Sequence, residues 1–226
     1  MANKIPTALV SDFDGTISDD DFFNYVSRRW LGEKALDPWR EYTEGKKTHF
    51  EALREIFASL RVEQPAFDDF IREIKIDPGF FTVADYCRRR DIPVYVCSAG
   101  CDYYIDKLAG KGMADCRVRL VANHGVYSPE TGLVMTPPPE NSPFYDPNTG
   151  ISKAAVVAYL QQRGYRVVYC GDGMPDVAGG GGARQNRADV VFARKMLLLQ
   201  CRQLNIPAEE LTDFNQVYRF LKGEKQ

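Results

Sequence analysis

The chain has 226 residues, 44% hydrophobic and 27% charged, a composition that excludes a disordered or fibrous protein and supports a sizeable core. With 29 basic and 31 acidic residues the formal net charge is −2, which offers no electrostatic basis for binding nucleic acid or an anionic membrane. No apolar stretch nears the roughly 20 residues that span a bilayer, and MANKIPTALV lacks a signal peptide's apolar segment and cleavage site, so a cytoplasmic location is expected. Six cysteines without a CxxC pair read as free buried thiols, and two histidines, His49 and His124, leave no basis for a histidine-rich metal site.

The first strand-like run is IPTALVSDF (5–13), short and almost continuously apolar, as in a strand buried on both faces of a parallel sheet. It ends in SDFDGTISDDD, where five carboxylates fall within ten positions; so much like charge at the end of a buried strand calls for a cation. A calcium loop does not fit, because Gly15 falls two positions early and Thr16 stands where a third acid belongs. Asp19 and Asp20 are expected to cap a helix over 21–31 that carries Phe22, Phe23, Tyr25 and Trp30. THFEALREIFASL and AFDDFIREIK then show helical spacing of apolar residues with no strand signal. Residues 18–79 therefore read as a small helical insertion, closed by DPGF (77–80), within a core built from 1–17 and 80–226.

Beyond the insertion, helical and strand patterns alternate. Helical FTVADYCRRR, whose Arg88–Arg90 run reads as a solvated helix end, leads to the strand IPVYVCS (92–98), and helical CDYYIDKLAGKG follows. Residues 123–150 read as a β-hairpin turning at SPETG and then a loop in which Pro137, Pro138 and Pro139 impose extended backbone. Helical SKAAVVAYLQQRG leads to the strand YRVVYCGD (165–172), and ADVVFA (188–193) is the fourth strand. Between them, the four glycines Gly179–Gly182 each cost a helix interior about 1 kcal/mol against alanine, so a loop is expected there. The alternation predicts an α/β fold, a Rossmann-like parallel sheet flanked by helices.

Ligands of such sheets bind beyond the carboxyl ends of the strands. Asp12 with Asp14, Ser98, Asp172 with Asp176, and Lys153 at a helix start should therefore converge on one edge. Asp12 and Asp14 are two apart and would lie on opposite sides of an ideal strand, so a shared site needs a bend, for which Gly15 supplies freedom. Two or three carboxylates with open positions suit Mg²⁺, and Asp172 completes a three-acid cluster. Ser98 and the amides of Ala99 and Gly100 lie where a strand gives way to a helix, a geometry that binds anions. With Lys153 as a fixed cation, these are the parts that phosphoryl transfer requires.

DFDGT (12–16), Ser98, Lys153 and GDGMPD (171–176) resemble the four ordered motifs of the haloacid dehalogenase superfamily. The resemblance implies that Asp12 is a nucleophile forming an aspartyl-phosphate and that Asp14 is the general acid and base. It further implies that Asp12, Asp14 through its carbonyl, and Asp172 hold Mg²⁺ with Asp176 supporting them, and that Thr16, Ser98, Ala99, Gly100 and Lys153 bind the phosphoryl group. An acid at Asp14 points to a phosphatase, with a phosphomutase as the lesser alternative, and away from the dehalogenases and P-type ATPases. The insertion resembles a C1 cap, in which Asp21 and Phe22 would face the substrate. CSAGCDYYI and residues 189–221 are similar to the methionine-salvage branch, implying 2-hydroxy-3-keto-5-methylthiopentenyl-1-phosphate as substrate. A phosphoserine-, phosphocholine- or phosphoethanolamine-type ester is the alternative, and a non-catalytic phosphometabolite-binding regulator is the alternative of another class. The expected partner is a small phosphorylated metabolite, with no nucleic acid and no membrane, for a monomer or homodimer.

Overall fold

Successive residues of the first strand, β1 (Thr7–Ser11), bury on opposite faces: Leu9 joins one hydrophobic cluster, Ala8 and Val10 another. The computed structural model describes residues 5–177, 182–183 and 188–224. Further strands among these are β2 (Val94–Cys101), β3 (Arg119–Ser128), β4 (Gly132–Thr136), the two-residue β5 (Tyr145–Asp146) and β6 (Gly150–Ile151), β7 (Arg166–Gly171), β8 (Val190–Ala193) and β9 (Glu209–Glu210). All but β5 and β6 form one sheet in the order β4-β3-β2-β1-β7-β8-β9, and every pairing in it is parallel except β3 with β4. The four expected strands are all present, and the hairpin turns at SPETG as its sequence indicates. Strand β9 carries only two glutamates, too short and too polar for a pattern to reveal.

Between β1 and β2 the chain forms α1 (Phe22–Val26), a π turn (Ser27–Leu31), a 3-10 turn (Glu33–Leu36), α2 (Asp37–Thr43), α3 (His49–Ala58), α4 (Gln64–Glu73) and α5 (Pro78–Arg89). After β2 come α6 (Asp102–Ile105), a second π turn (Asp106–Gly110) and α7 (Lys111–Asp115). Helix α8 (Lys153–Gln161) precedes β7, α9 (Lys195–Gln203) follows β8, and α10 (Phe214–Lys222) lies last. One sheet face packs Leu9, Val96 and Phe192 against Phe80 and Val83 of α5 and Phe214 of α10. The other packs Val10, Tyr169 and Val191 against Val157 and Leu160 of α8 and Leu197 of α9. A central sheet between two helical layers is the arrangement the alternation predicted.

Strand register delivers the site. Ser11 is level with Val96 on one side and Cys170 on the other, and the Asp12 N–H extends the ladder by donating to the Cys170 carbonyl at 2.9 Å. Asp12, the end of β2 and the residues after β7 thus share one carboxyl edge.

Several local expectations need correction. The helix at 21–31 is broken, since α1 stops at Val26 and opens into the π turn. Asp19 and Asp20 do not cap it; Asp21 occupies the cap position and makes no side-chain cap bond. Asp20 instead accepts from Asn24 and Arg28, and the Phe22 N–H at the helix head donates to Asp14 Oδ1 at 3.2 Å. Strand β2 runs through Ser98 to Cys101 with a register shift, so the segment after Ser98 is an irregular strand and not yet a helix. All six cysteines are free, but Cys116 is only half-buried. Gly179, Gly180 and Gly181 of the glycine run, with residues 178 and 184–187, lie outside the described residues. No helix among the described residues is long and apolar enough to cross a membrane.

Asp77 ties the end of the helical excursion to the core. Its N–H donates to the Ile17 carbonyl at 2.8 Å, Oδ1 accepts from Gly79 at the head of α5 at 2.8 Å, and Oδ2 accepts from Phe214 at the head of α10 at 3.0 Å. Asp77→Ala strands both helix-end donors and is expected to cost about 2 kcal/mol. A lower urea midpoint at unchanged slope is the expected outcome, and a wild-type midpoint would show that these caps add nothing.

Candidate active site

The chain bends immediately after Asp12. The Phe13 carbonyl accepts the N–H groups of Thr16, Ile17 and Ser18 at 3.2, 2.8 and 3.0 Å, closing a tight turn. Gly15 sits at φ +67°, and a Cβ on it would collide with the Asp172 carboxylate, so both backbone and space require glycine. The turn folds Asp14 back into the site. Its Oδ2 accepts from the Ser98 hydroxyl at 3.0 Å and the Tyr104 hydroxyl at 2.5 Å, while Oδ1 takes the Phe22 N–H. Gly100 leaves room for this, because a Cβ there would overlap Tyr104 Oη.

Lys153, 3% exposed, opens α8 behind the cap residue Ser152. Its Nζ lies 2.7 Å from Asp12 Oδ2 and 2.6 Å from Asp176 Oδ1. Burial alone would discharge this lysine, but Asp12 and Asp176 more than offset it and hold the ammonium charged. Burial likewise pushes the Asp12 carboxyl up, and Lys153 opposes that rise. Asp176 also accepts from the Tyr169 hydroxyl and, through Oδ2, from the N–H groups of Asp172 and Gly173 at 3.0 and 2.8 Å. It is a brace that fixes both Lys153 and the loop carrying Asp172.

Asp172 accepts from Thr16 Oγ1 at 3.3 Å and pairs with Lys195 Nζ at 3.2 Å. Burial, then Asp176, pushes its carboxyl up to about 6. Burial raises Asp14 against its three hydrogen bonds, and burial followed by Asp172 and Asp14 pushes Asp21 up to about 8. Oxygens of Asp12, Asp172 and Asp176 lie within 4.8 Å of one another, a buried set of hard ligands suited to a divalent cation. The Asp14 carboxylate, turned to Ser98 and Tyr104, is not in that set.

A cavity of about 290 Å³ opens over these groups. Every sequence-selected site residue lines it except Thr16, whose hydroxyl faces Asp172, and Asp176, which lies behind at 0% exposure. Ser98 accepts the Gly100 N–H at 2.9 Å as well as donating to Asp14. Phe22 stacks on Tyr104 with ring centroids 3.9 Å apart. Among the lining residues that escaped the sequence reading are Tyr104, Lys195 and His49. An aromatic on a helix reads as core and a lysine at a helix head as surface, so neither type announces itself. His49 was legible only as one of two histidines.

Hydrophilic groups from the ends of parallel strands, gathered around a buried lysine and a cation site, define an enzyme of the α/β hydrolytic or transfer type. The model of the haloacid dehalogenase-like hydrolases matches residues 9–179, and the chain belongs to that family. A 2-hydroxy-3-keto-5-methylthiopentenyl-1-phosphate phosphatase of Brevibacillus brevis is 28% identical over 100% of this chain and 99% of its own length. A polyol phosphate phosphatase of Saccharomyces cerevisiae is 26% identical over 98% and 96%. Among solved structures, a substrate-bound phosphoserine phosphatase superposes with a TM-score of 0.64 at 18% identity, covering 99% of this chain and 100% of that one. The phosphoserine phosphatase of T. onnurineus gives 0.64 at 14% identity, covering 100% and 99%. These structural likenesses speak for the fold.

A carboxyl whose pKa rises on folding takes up a proton, so its favourable contribution is complete below about pH 4 and is lost as pH climbs through the folded value. For Asp21 that window ends at about 8. With divalent ions chelated, the melting temperature is expected to fall from pH 5 to pH 8.5, and Asp21→Asn to flatten the fall. Identical slopes in both proteins would remove Asp21 as the cause.

Proposed function

We propose that this chain is a Mg²⁺-dependent phosphomonoesterase of the cytoplasm, acting on a small phosphorylated metabolite through an aspartyl-phosphate on Asp12. The observation that carries the reading is the division of labour between two acids. Asp12 is held by the Lys153 cation beside Asp172, whereas Asp14 is held apart between the hydroxyls of Ser98 and Tyr104. Binding without turnover would need no such proton carrier.

Asp12 and Asp172, with the Asp14 main-chain carbonyl, hold the Mg²⁺, while Asp176 braces them. The ion when bound neutralises charge on the phosphoryl oxygens. Lys153 and the Ala99 amide orient the phosphoryl group, while Ser98, whose hydroxyl donates to Asp14 and accepts from the Gly100 N–H, and Thr16, whose hydroxyl donates to Asp172, position those carboxylates. An Asp12 oxygen forms a bond to phosphorus as the ester P–O bond breaks, and Asp14 gives its proton to the departing oxygen. Asp14 then takes a proton from water, whose oxygen attacks the same phosphorus, freeing Asp12 and inorganic phosphate. Residues 18–79 serve as the cap that keeps bulk water from the intermediate. The names of the Brevibacillus and related phosphatases support a methylthiopentenyl phosphate as substrate, and the apolar lining from Phe23, Trp39 and Met174 accommodates a short apolar tail.

Asp12→Asn is expected to lower p-nitrophenyl phosphate turnover by about a thousandfold or more, and full activity would remove the nucleophile assignment. Asp14→Asn should cost about a hundredfold or more on an alkyl phosphate but distinctly less on p-nitrophenyl phosphate, whose leaving group needs little protonation. Equal losses on both esters would count against Asp14 as the acid.

A further inference from the structure

His49 heads α3 directly after its cap, Thr48, and its N–H donates to Asn148 Oδ1 at 3.1 Å. The ring is fixed edge-on between Trp39 and Tyr42, with centroids 5.3 and 5.2 Å away. It lines the same cavity as Asp12 and Lys153, is 6% exposed, and its buried Nδ1 has no hydrogen-bond partner. A buried polar atom left unmet costs about 1–3 kcal/mol, and native interiors rarely keep one without a use. Burial, with Lys153 adding to it, pushes the imidazole pKa down to about 3, so the ring is neutral at physiological pH. The cavity is also lined by the apolar Phe23, Leu53 and Phe57 and, beside His49, by Trp39, Tyr42 and Thr43, whose indole N–H and hydroxyls are further polar groups of that part of the lining.

We infer that His49 is a specificity-determining residue that hydrogen-bonds a neutral oxygen substituent, hydroxyl or carbonyl, on the leaving group of the phosphate ester. The inference rests on the phosphomonoesterase reading and deepens it. An ester bearing only methylene groups offers the His49 ring no hydrogen-bond partner, and an ammonium in that place lies near the Lys153 cation. The class of substrate is therefore an oxygenated phosphate monoester, with any apolar tail lying among the aromatic rings.

Three esters of equal heavy-atom count test this: 2-hydroxyethyl phosphate, n-propyl phosphate and O-phosphoethanolamine, compared by kcat/KM with Mg²⁺ present. The wild-type enzyme is expected to prefer the hydroxyl ester over each of the others by about tenfold or more. His49→Phe should lower the hydroxyl-to-propyl ratio by about tenfold, and His49→Asn, which keeps a polar atom at similar reach, should restore part of it. A ratio measured within one variant is independent of how much of that variant folds. Equal wild-type rates on the hydroxyl and propyl esters, preference for phosphoethanolamine, or a ratio unmoved in His49→Phe would each overturn the inference while leaving the phosphatase reading intact. Absence of turnover on these esters and on p-nitrophenyl phosphate would overturn that reading, and the inference with it.

Discussion

An ammonium buried between two carboxylates is the constraint from which the rest of the site follows. Lys153, Asp12 and Asp176 are almost wholly buried, and their charges are tolerable because the ammonium lies within 2.7 Å of both carboxylates. Removing one partner from such a group typically costs about 3–5 kcal/mol, because the remaining charges are left uncompensated. The triad thus fixes the first residue of α8 against the ends of β1 and β7. It also leaves a net negative charge beside Asp172, which a divalent cation is suited to offset.

The second organising contact joins Asp14 to the helical segment. Asp14 takes the first free N–H of α1, and Phe22, which donates it, stacks on Tyr104, whose hydroxyl returns to Asp14. Burial and the neighbouring Asp14 charge raise the Tyr104 pKa far above its ordinary value, so its hydroxyl stays protonated and can donate. The position of the acid therefore depends on where α1 sits. Any movement of the helical segment away from the core would loosen the acid's hydrogen bonds as it admitted water. Helix α1 and the Asp14 carboxylate are thus coupled through Phe22 and Tyr104.

Much of this was readable beforehand, and for identifiable reasons. Strands buried on both faces must be apolar almost throughout, so β1, β2, β7 and β8 stand out as continuous runs. The acids at their ends stand out by contrast, since a carboxylate next to a buried strand has no packing role. The expected anion-binding turn after Ser98 instead continues β2 to Cys101, because pairing with β3 persists past a register shift. The capping roles given to Asp19 and Asp20 failed for a similar reason: a more distant carboxylate, Asp14, already satisfied the helix head. Tyr104, Lys195 and His49 gave no signal because their residue types are equally at home in a core, on a surface or in a ring cluster.

The sequence by itself determined the alternation of elements, the sheet edge on which the acids gather, and the family to which the motifs belong. Those are properties of local pattern and order, set by burial periodicity and by where charge interrupts it. Tertiary structure alone decided which way each acid faces, that Asp176 braces while Asp14 stands apart, and that an imidazole from α3 reaches the cavity shared with Lys153. Such choices depend on contacts between residues as many as 100 or more positions apart, as with Lys153 and Asp12, and on which donors remain once nearer partners are satisfied.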